Sequence, residues 1–455
     1  MVAPHHPLTR RGFLGQAAVA SSAVPVLSAA TRTRVLGAND RINVALIGVG
    51  NLGIRHLRER LLPISKEKQS IQMVAACDIY EKAKERARTL IGLERRDVHH
   101  DYREMLSRAD VDAVVIVTPE HHHHRMAMEA LAAGKDIYLE KPMTYLIGEA
   151  REIAETVRKA GRVLQVGSQH VSDPRYQLAR EVIEKGWIGE VLGGQATWAS
   201  NLLHGLWQYR IEPEATEKTI DWAAFLGPAP KRRFSAERYF RWRKYWDYSG
   251  GIGPDLFYHE LSPMMLAIGP QFPVRVSAHG GIRFSRDREV PDVFSMTAEY
   301  EKFAIELSGN SAYSLLGANH RKAIFGREAT IAFVNGAIEV KPEPVFRSKF
   351  EKATGKKELR LQREPKDYNA IRMAHFENFL TSMRTRKQPV FDADFGYRVT
   401  TAIKLGVDSY RQSRMMAFDP RSERVVDNAP RRPGYEGTGE NYEEPGGALS
   451  DGRTG

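Results

Sequence analysis

The sequence predicts an α/β protein. An N-terminal doubly wound parallel sheet is followed by a C-terminal α+β domain with a large open, mostly antiparallel sheet. Three observations carry this. The apolar run 44–47 ends in Gly48-x-Gly50-x-x-Gly53, with helix-compatible sequence after it. A second apolar run, 71–77, ends in Asp78, about 25 residues past Gly53 against roughly 20 in such folds. From about residue 166, alternating strand and helix patterns give way to successive β-rich runs.

Each part of the glycine motif has a physical task. Gly48 permits a tight turn, Gly50 lets the backbone approach a pyrophosphate, and Gly53 lets helix and strand pack closely. The helix start at Asn51 and Leu52 offers free N–H groups and the positive end of a dipole. Strand, glycine turn and helix in that order are what a Rossmann dinucleotide site requires. Asp78, ending the second strand, suits the free ribose hydroxyls of NAD better than the phosphate of NADP.

Further elements of the first domain, 41–165, alternate. Strands are expected at 43–47, 72–77, 113–117, 136–139 and 163–166, and helices at 80–90, 102–107, 124–133 and 146–160. Gly134 and Gly161 sit where helix C-caps belong. In the second domain, 166–423, a helix at 175–185 precedes β-rich runs at 191–200, 274–279, 294–300, 303–308, 323–325 and 330–334. A helix at 256–267 is expected to cover one face of that sheet. Two late helices, 370–384 and 395–414, are expected to brace the domains. The stretch 424–455, rich in Gly, Pro and charge, reads as an irregular tail.

The chain has 455 residues, enough for two or three domains with real cores. Its formal charge is +11, with both signs interleaved, so no run reads as a nucleic-acid arm. The excess reads as a solvated basic surface, or in part as steering for an anionic substrate. The single cysteine, Cys77, excludes an intrachain disulfide and ends an apolar strand, where a packed small residue is the expectation. Residues 1–30 read as a targeting segment and 31–40 as a linker. Thr9-Arg10-Arg11-Gly12-Phe13-Leu14 resembles a twin-arginine signal, followed by an Ala-rich apolar stretch and small residues at 28–30. The alternative is an N-terminal arm that is disordered or lies on a membrane. The apolar stretch is too short and too rich in Ser and Ala for a span, so no membrane insertion is expected after processing.

Ile116-Val-Thr-Pro-Glu-His-His-His-His124, Ala133-Gly-Lys135, Tyr138-Leu-Glu-Lys-Pro142, Gly167-Ser-Gln169 and Trp187-Ile-Gly-Glu-Val191 together resemble the glucose–fructose oxidoreductase / inositol dehydrogenase (Gfo/Idh/MocA) family. The resemblance runs from about Arg41 to Arg414, and its specific part is the Glu-Lys-Pro closing a strand. It implies cofactor contacts from Thr118, Pro119, His121, His123, Glu140, Lys141 and Gln169, in addition to Gly48, Gly50, Asn51, Leu52, Gly53 and Asp78. It implies NAD as the cofactor, catalytic roles for Lys141, Asp255 and His259, and oligomers built by pairing open sheets.

Those three residues also make physical sense. Lys141 lies where a parallel strand ends, beside the crevice that binds ligands, and an ammonium there can hold an alkoxide. Asp255 and His259 are four apart on a helix that starts near Gly253-Pro254, so the carboxylate can orient the imidazole and raise its basicity. His259 is then a general base for a hydroxyl proton. After this histidine the family often carries another acid one or three residues on; here Glu260 and Ser262 stand there. The segment Trp242-Arg-Lys-Tyr-Trp-Asp-Tyr248 is aromatic and basic, suited either to sugar binding or to core and interface packing. The run His121–His124 lacks companion acidic or cysteine ligands, so no metal site is expected; His99 and His100 read as surface.

The expectation is an NAD(P)-dependent oxidoreductase, NAD being favoured over NADP, acting on a secondary alcohol of a sugar, polyol or sugar derivative. Three alternatives stand beside it. They are a redox-neutral glycosidase using NAD transiently, an epimerase or dehydratase passing through the same ketone, and a non-catalytic sugar-binding protein. Export of a folded protein to a compartment with little free nucleotide points to a dinucleotide loaded first and retained.

Overall fold

A computed structural model describes residues 41–314, 322–365 and 367–427. The leader at 1–30, the linker at 31–40 and most of the tail lie outside these residues.

Six strands form the first sheet: β1 (Ile42–Ile47), β2 (Ile71–Cys77), β3 (Val98–His99), β4 (Ala113–Ile116), β5 (Asp136–Leu139) and β6 (Leu164–Val166). Their order is β3-β2-β1-β4-β5-β6, and every neighbouring pair is parallel. The central strands are largely apolar because helices cover both faces, and β4, β5 and β6 are wholly buried. Chain order reverses between β1 and β4, which opens a crevice at their C-terminal ends.

The second sheet has ten strands: β7 (Val191–Ala199), β8 (Arg275–Gly281), β9 (Val293–Glu299), β10 (Ala304–Asn310), β11 (Lys322–Gly326), β12 (Ala329–Val334), β13 (Ala337–Pro342), β14 (Leu359–Leu361), β15 (Met416–Asp419) and β16 (Arg424–Val426). The order is β14-β13-β12-β11-β7-β10-β9-β8-β15-β16, and only β7 and β10 run parallel. Along β9, Phe294, Met296 and Ala298 are buried while the residues between them are half-buried. One face therefore carries the core, covered by the helices Tyr258–Ile268 and Ala393–Gln412.

The two late helices tie the halves together. Tyr368–Thr385 lays Phe376 and Phe379 against Tyr138 of β5, and His375 Nε2 donates to the Val166 carbonyl at 2.9 Å. Helix Ala393–Gln412 packs on both Ile147–Ala160 and β8, and Lys404 reaches back to the buried Glu120 at 2.8 Å. Strand β16 occupies 424–426, inside the stretch read as an irregular tail. Arg424 and Val425 are exposed on an edge strand, so no apolar alternation announces it.

Candidate active site

At the first β-to-helix turn, Gly48 has φ +87°, and a Cβ there would lie 2.6 Å from the Val117 carbonyl oxygen. A Cβ on Gly53 would lie 2.1 Å from the Gly48 carbonyl oxygen, so this glycine sets the approach of helix to strand. Gly50 is different. It precedes the helix, no side chain caps that helix start, and a Cβ on it would meet no protein atom within 4 Å. The space it faces is a cleft of about 390 Å³. Gly48, Gly50, Asn51 and Leu52 line it, and Gly53 does not. A backbone cradle with uncapped N–H groups fits a dinucleotide phosphate.

Asp78 lines the same cleft. Its Oδ2 accepts from the Val49 N–H at 2.6 Å and its Oδ1 from the Tyr80 N–H at 2.9 Å, which fix the carboxylate at the end of β2. Burial pushes its pKa upward, and the backbone N–H donors oppose that only in part. Cys77 beside it is buried, and burial pushes the thiol up, so it is a packing residue.

A segment of the second half roofs this end. Tyr80 pairs with Ile220 as an isolated bridge, the Glu81 N–H donates to the Thr219 carbonyl at 3.0 Å, and the Asp221 N–H donates to that of Ile79 at 3.0 Å. Glu212 accepts from Tyr80 Oη at 3.0 Å and from Arg86 at 2.8 Å. Phe225, Tyr239 and Phe240 add aromatic rings to the cleft wall. His100, read as surface, also lines the cleft and bonds Asp221 at 3.0 Å.

At the other end the predicted catalytic trio comes together. Lys141 follows β5; its Nζ donates to the Asp255 carboxylate and to the Asp255 carbonyl, both at 2.7 Å. Arg243 Nε donates to the same Asp255 Oδ1 at 3.1 Å, and Trp207 Nε1 to Oδ2 at 2.9 Å. Trp207 holds φ +66°, a strained backbone for a bulky residue, while presenting that indole. Burial alone would raise the Asp255 carboxyl; the charges of Lys141 and Arg243 outweigh it and hold the group well below the usual range. Asp255 thus serves Lys141. It makes no hydrogen bond to His259, whose Nδ1 lies 3.3 Å from Ser168 Oγ.

A hydroxyl chain orients His259 instead. Ser262 Oγ donates to the Tyr258 carbonyl at 2.6 Å and lies 2.9 Å from Ser168 Oγ. Ser168 Oγ also lies 3.4 Å from the Tyr258 carbonyl oxygen and 3.3 Å from His259 Nδ1. In the tautomer that donates Nδ1–H to Ser168, the Nε2 lone pair is left for the cleft, which His259 lines. Burial first, and then the positive charge of Lys141, hold this imidazole well below its ordinary pKa, so it is neutral and able to accept a proton. Glu260 is not at the site; it is buried in an ion pair with Lys322 at 2.5 Å.

Thr118, Pro119, Glu140 and Gln169 line the cleft, as Lys141 does. Glu140 Oε1 accepts from His56 Nε2 at 2.7 Å and from Gln169 at 3.2 Å, and Oε2 accepts from the Lys141 N–H at 3.1 Å. Two expected cofactor contacts are corrected. His121 turns inward and donates Nε2–H to the Phe225 carbonyl at 2.9 Å. His123 sits between the carbonyls of Pro142 and Thr118, at 2.8 and 2.9 Å. The 3-10 turn Glu120–His122 rotates the run so that His122 lines the cleft instead. Among the described residues no group of His, Cys, Asp or Glu is placed to hold a metal ion.

Within the aromatic, basic segment, Trp242 and Arg243 line the cleft, while Lys244 is fully buried and paired with Asp287 at 2.6 Å and Glu237 at 3.1 Å. Ser168, Trp207 and Arg243 were not singled out individually from the sequence. Ser168 stood inside the Gly167-Ser-Gln169 motif and Arg243 inside that segment, while Trp207 carried no signal.

A Rossmann crevice with a lysine-bearing strand end, facing a helix-covered open sheet, defines a class of nucleotide-dependent oxidoreductases. Residues 42–168 match the model of an oxidoreductase family with an NAD-binding Rossmann fold, and residues 183–309 match the C-terminal α/β domain of the same family. The chain belongs to this Gfo/Idh/MocA oxidoreductase family, whose cofactor is NAD(H). It is 30% identical over 239 residues to glycosyl hydrolase family 109 protein 2 of Shewanella sp. (strain ANA-3), covering 47% of this chain and 49% of that protein. It is 31% identical over 150 residues to scyllo-inositol 2-dehydrogenase (NAD(+)) of Bacillus subtilis (strain 168), covering 33% of this chain and 42% of that one. The chain thus spans about half or less of these relatives. The fold resembles levoglucosan dehydrogenase in complex with NADH, with TM-score 0.63 and 18% identity over 83% of this chain and 99% of that one. No helix among the described residues is long and apolar enough to cross a membrane.

Proposed function

We propose that the protein oxidises a secondary alcohol of a sugar, polyol or sugar derivative with a tightly held NAD. The observation that carries this is the meeting of Lys141, Asp255 and His259 at one end of the cleft, with Gly50 and Asp78 at the other. When bound, the nicotinamide supplies a hydride acceptor. His259 Nε2 takes the hydroxyl proton as the carbon gives up its hydride, and Lys141 Nζ holds the oxygen as negative charge grows on it. Asp255 positions that ammonium. Glu140, Thr118 and Gln169 face the nicotinamide half, and Asp78 the adenosine ribose.

Tight retention is supported by the segment of the second half that bonds to Ile79, Tyr80 and Glu81 beside the Asp78 end of the cleft. Export of the loaded, folded protein rests on the motif at 9–14. A second reading, a redox-neutral glycosidase, is favoured by the match to the Shewanella protein. In that case the retained cofactor is oxidised and reduced within one turnover. A homo-oligomer through the half-exposed polar face of the ten-stranded sheet belongs to the same proposal.

Mass spectrometry of the denatured purified protein tests the cofactor claim: NAD in stoichiometric amount is expected. Absence of any dinucleotide, with no uptake of added NAD, would overturn it. Product formation with no change in nicotinamide absorbance would favour the glycosidase reading.

A further inference from the structure

The turn Trp242–Lys244 places one cation at the reacting end that the mechanism does not use up. Arg243 lies on the turn Trp242–Lys244, lines the cleft, and its side chain is 16% exposed. Nε is spent on Asp255. Among the described residues no protein acceptor bonds to Nη1 or Nη2, and neither atom is buried without a partner. These two groups therefore face the cleft. The guanidinium plane is fixed, with its centre 4.2 Å from the Trp242 ring and 5.9 Å from the Tyr209 ring. Its neighbour Lys244 shows the contrast: buried, and bonded to Asp287, Glu237 and Gln208.

Only Nε of this largely buried guanidinium is paired. A cationic group held mostly out of water is stable where its remaining N–H donors meet acceptors. The two terminal groups of a guanidinium, held in one plane, match the two oxygens of a carboxylate.

We infer that the substrate is an acidic sugar, a uronate or a related sugar acid, whose carboxylate is bound by Nη1 and Nη2 of Arg243. This rests on the oxidoreductase reading and deepens it. Because Arg243 and Lys141 bond the same Asp255 oxygen, the carboxylate lies within a sugar ring's breadth of the carbon that Lys141 and His259 serve.

The test uses the NAD-loaded protein and two matched pairs, D-glucuronate with D-glucose and D-galacturonate with D-galactose. Binding is read by calorimetry, and reduction of the bound nicotinamide by its absorbance. At least one uronate is expected to bind about 10–100-fold more tightly than its neutral partner, as charge-assisted bidentate bonds permit. Arg243→Gln should abolish that ratio, the acid losing more affinity than the neutral sugar, and Arg243→Lys should restore part of it. Equal binding of acid and neutral members, or no binding of either, overturns the inference. So does an equal loss for both in Arg243→Gln. If Arg243→Gln loses its NAD, the anion belongs to the cofactor and the inference falls. Tight uronate binding without nicotinamide reduction would support the carboxylate site and sink the oxidative reading. Reduction by neutral sugars alone would do the reverse.

Discussion

Replacing Gly50 and Gly53 by alanine separates a glycine that serves the ligand from one that serves the fold. At Gly50 a Cβ meets no protein atom within 4 Å. Its φ is −67°, which alanine adopts freely. Alanine is a poorer N-cap, but it also lowers the entropy of the unfolded chain, so the net change is within about 1 kcal/mol. That methyl group projects into the cleft where the phosphates are cradled. At Gly53 the Cβ would stand 2.1 Å from the Gly48 carbonyl oxygen, backbone that can give way only by moving helix from strand. Overpacking of this kind costs about 1–3 kcal/mol or more. Bound NAD stabilises by about 2.7 kcal/mol when its concentration is 100 times Kd. Thermal unfolding of loaded and stripped protein reads all three effects. Wild type should show a clear gap between the two forms. Gly50→Ala should melt with stripped wild type and show little gap, and Gly53→Ala should lower the stripped form by several degrees. A stripped Gly50→Ala that melts as low as stripped Gly53→Ala, or one that keeps stoichiometric NAD, would refute the reasoning.

Acid should weaken the fold through its buried histidines. Burial holds His56, His122 and His375 at about 4, against 6.5 for a free imidazole. Between those values the unfolded chain binds more protons than the folded one, so stability is full above about pH 6.5 and falls as pH drops toward 4, by roughly 3 kcal/mol per residue. Urea midpoints that stay level from pH 7.5 to pH 5 would contradict this, and His375→Gln should flatten the slope. Asp255→Asn leaves Lys141 and Arg243 facing each other without their anion, and kcat/KM should fall at least 100-fold, a loss near 3 kcal/mol; wild-type turnover would remove Asp255 from the site. Ser168→Ala should release the His259 tautomer, read as altered ring-nitrogen shifts in histidine-labelled protein, with kcat falling more than KM changes. Unaltered shifts would show that the hydroxyl chain does not hold the ring. Replacing both Arg10 and Arg11 by lysine should strand the folded protein in the cytoplasm; undiminished export would rule out the twin-arginine route.

Local pattern determined the parts of this protein that depend on backbone alone. The tight turn at Gly48 and the close approach at Gly53 leave no room for a side chain, and Gly50 opens the helix start to the cleft, so the glycine turn was legible. The parallel strands were legible because burial on both faces forces unbroken apolar runs, and Lys141 because it ends one of them. Strand β3, with two residues, and edge strand β16, with exposed side chains, leave no such pattern. What the tertiary structure alone decided is which side chains share a bond. Spacing placed Asp255 beside His259 on one helix, yet Lys141, 114 residues earlier, takes the carboxylate with Arg243 and Trp207. The same holds for His259, whose Nδ1 meets Ser168, 91 residues before it. Side-chain hydrogen bonds act over about 3 Å in space and are indifferent to distance along the chain. Only folding brings those donors together and leaves two groups of Arg243 facing the cleft.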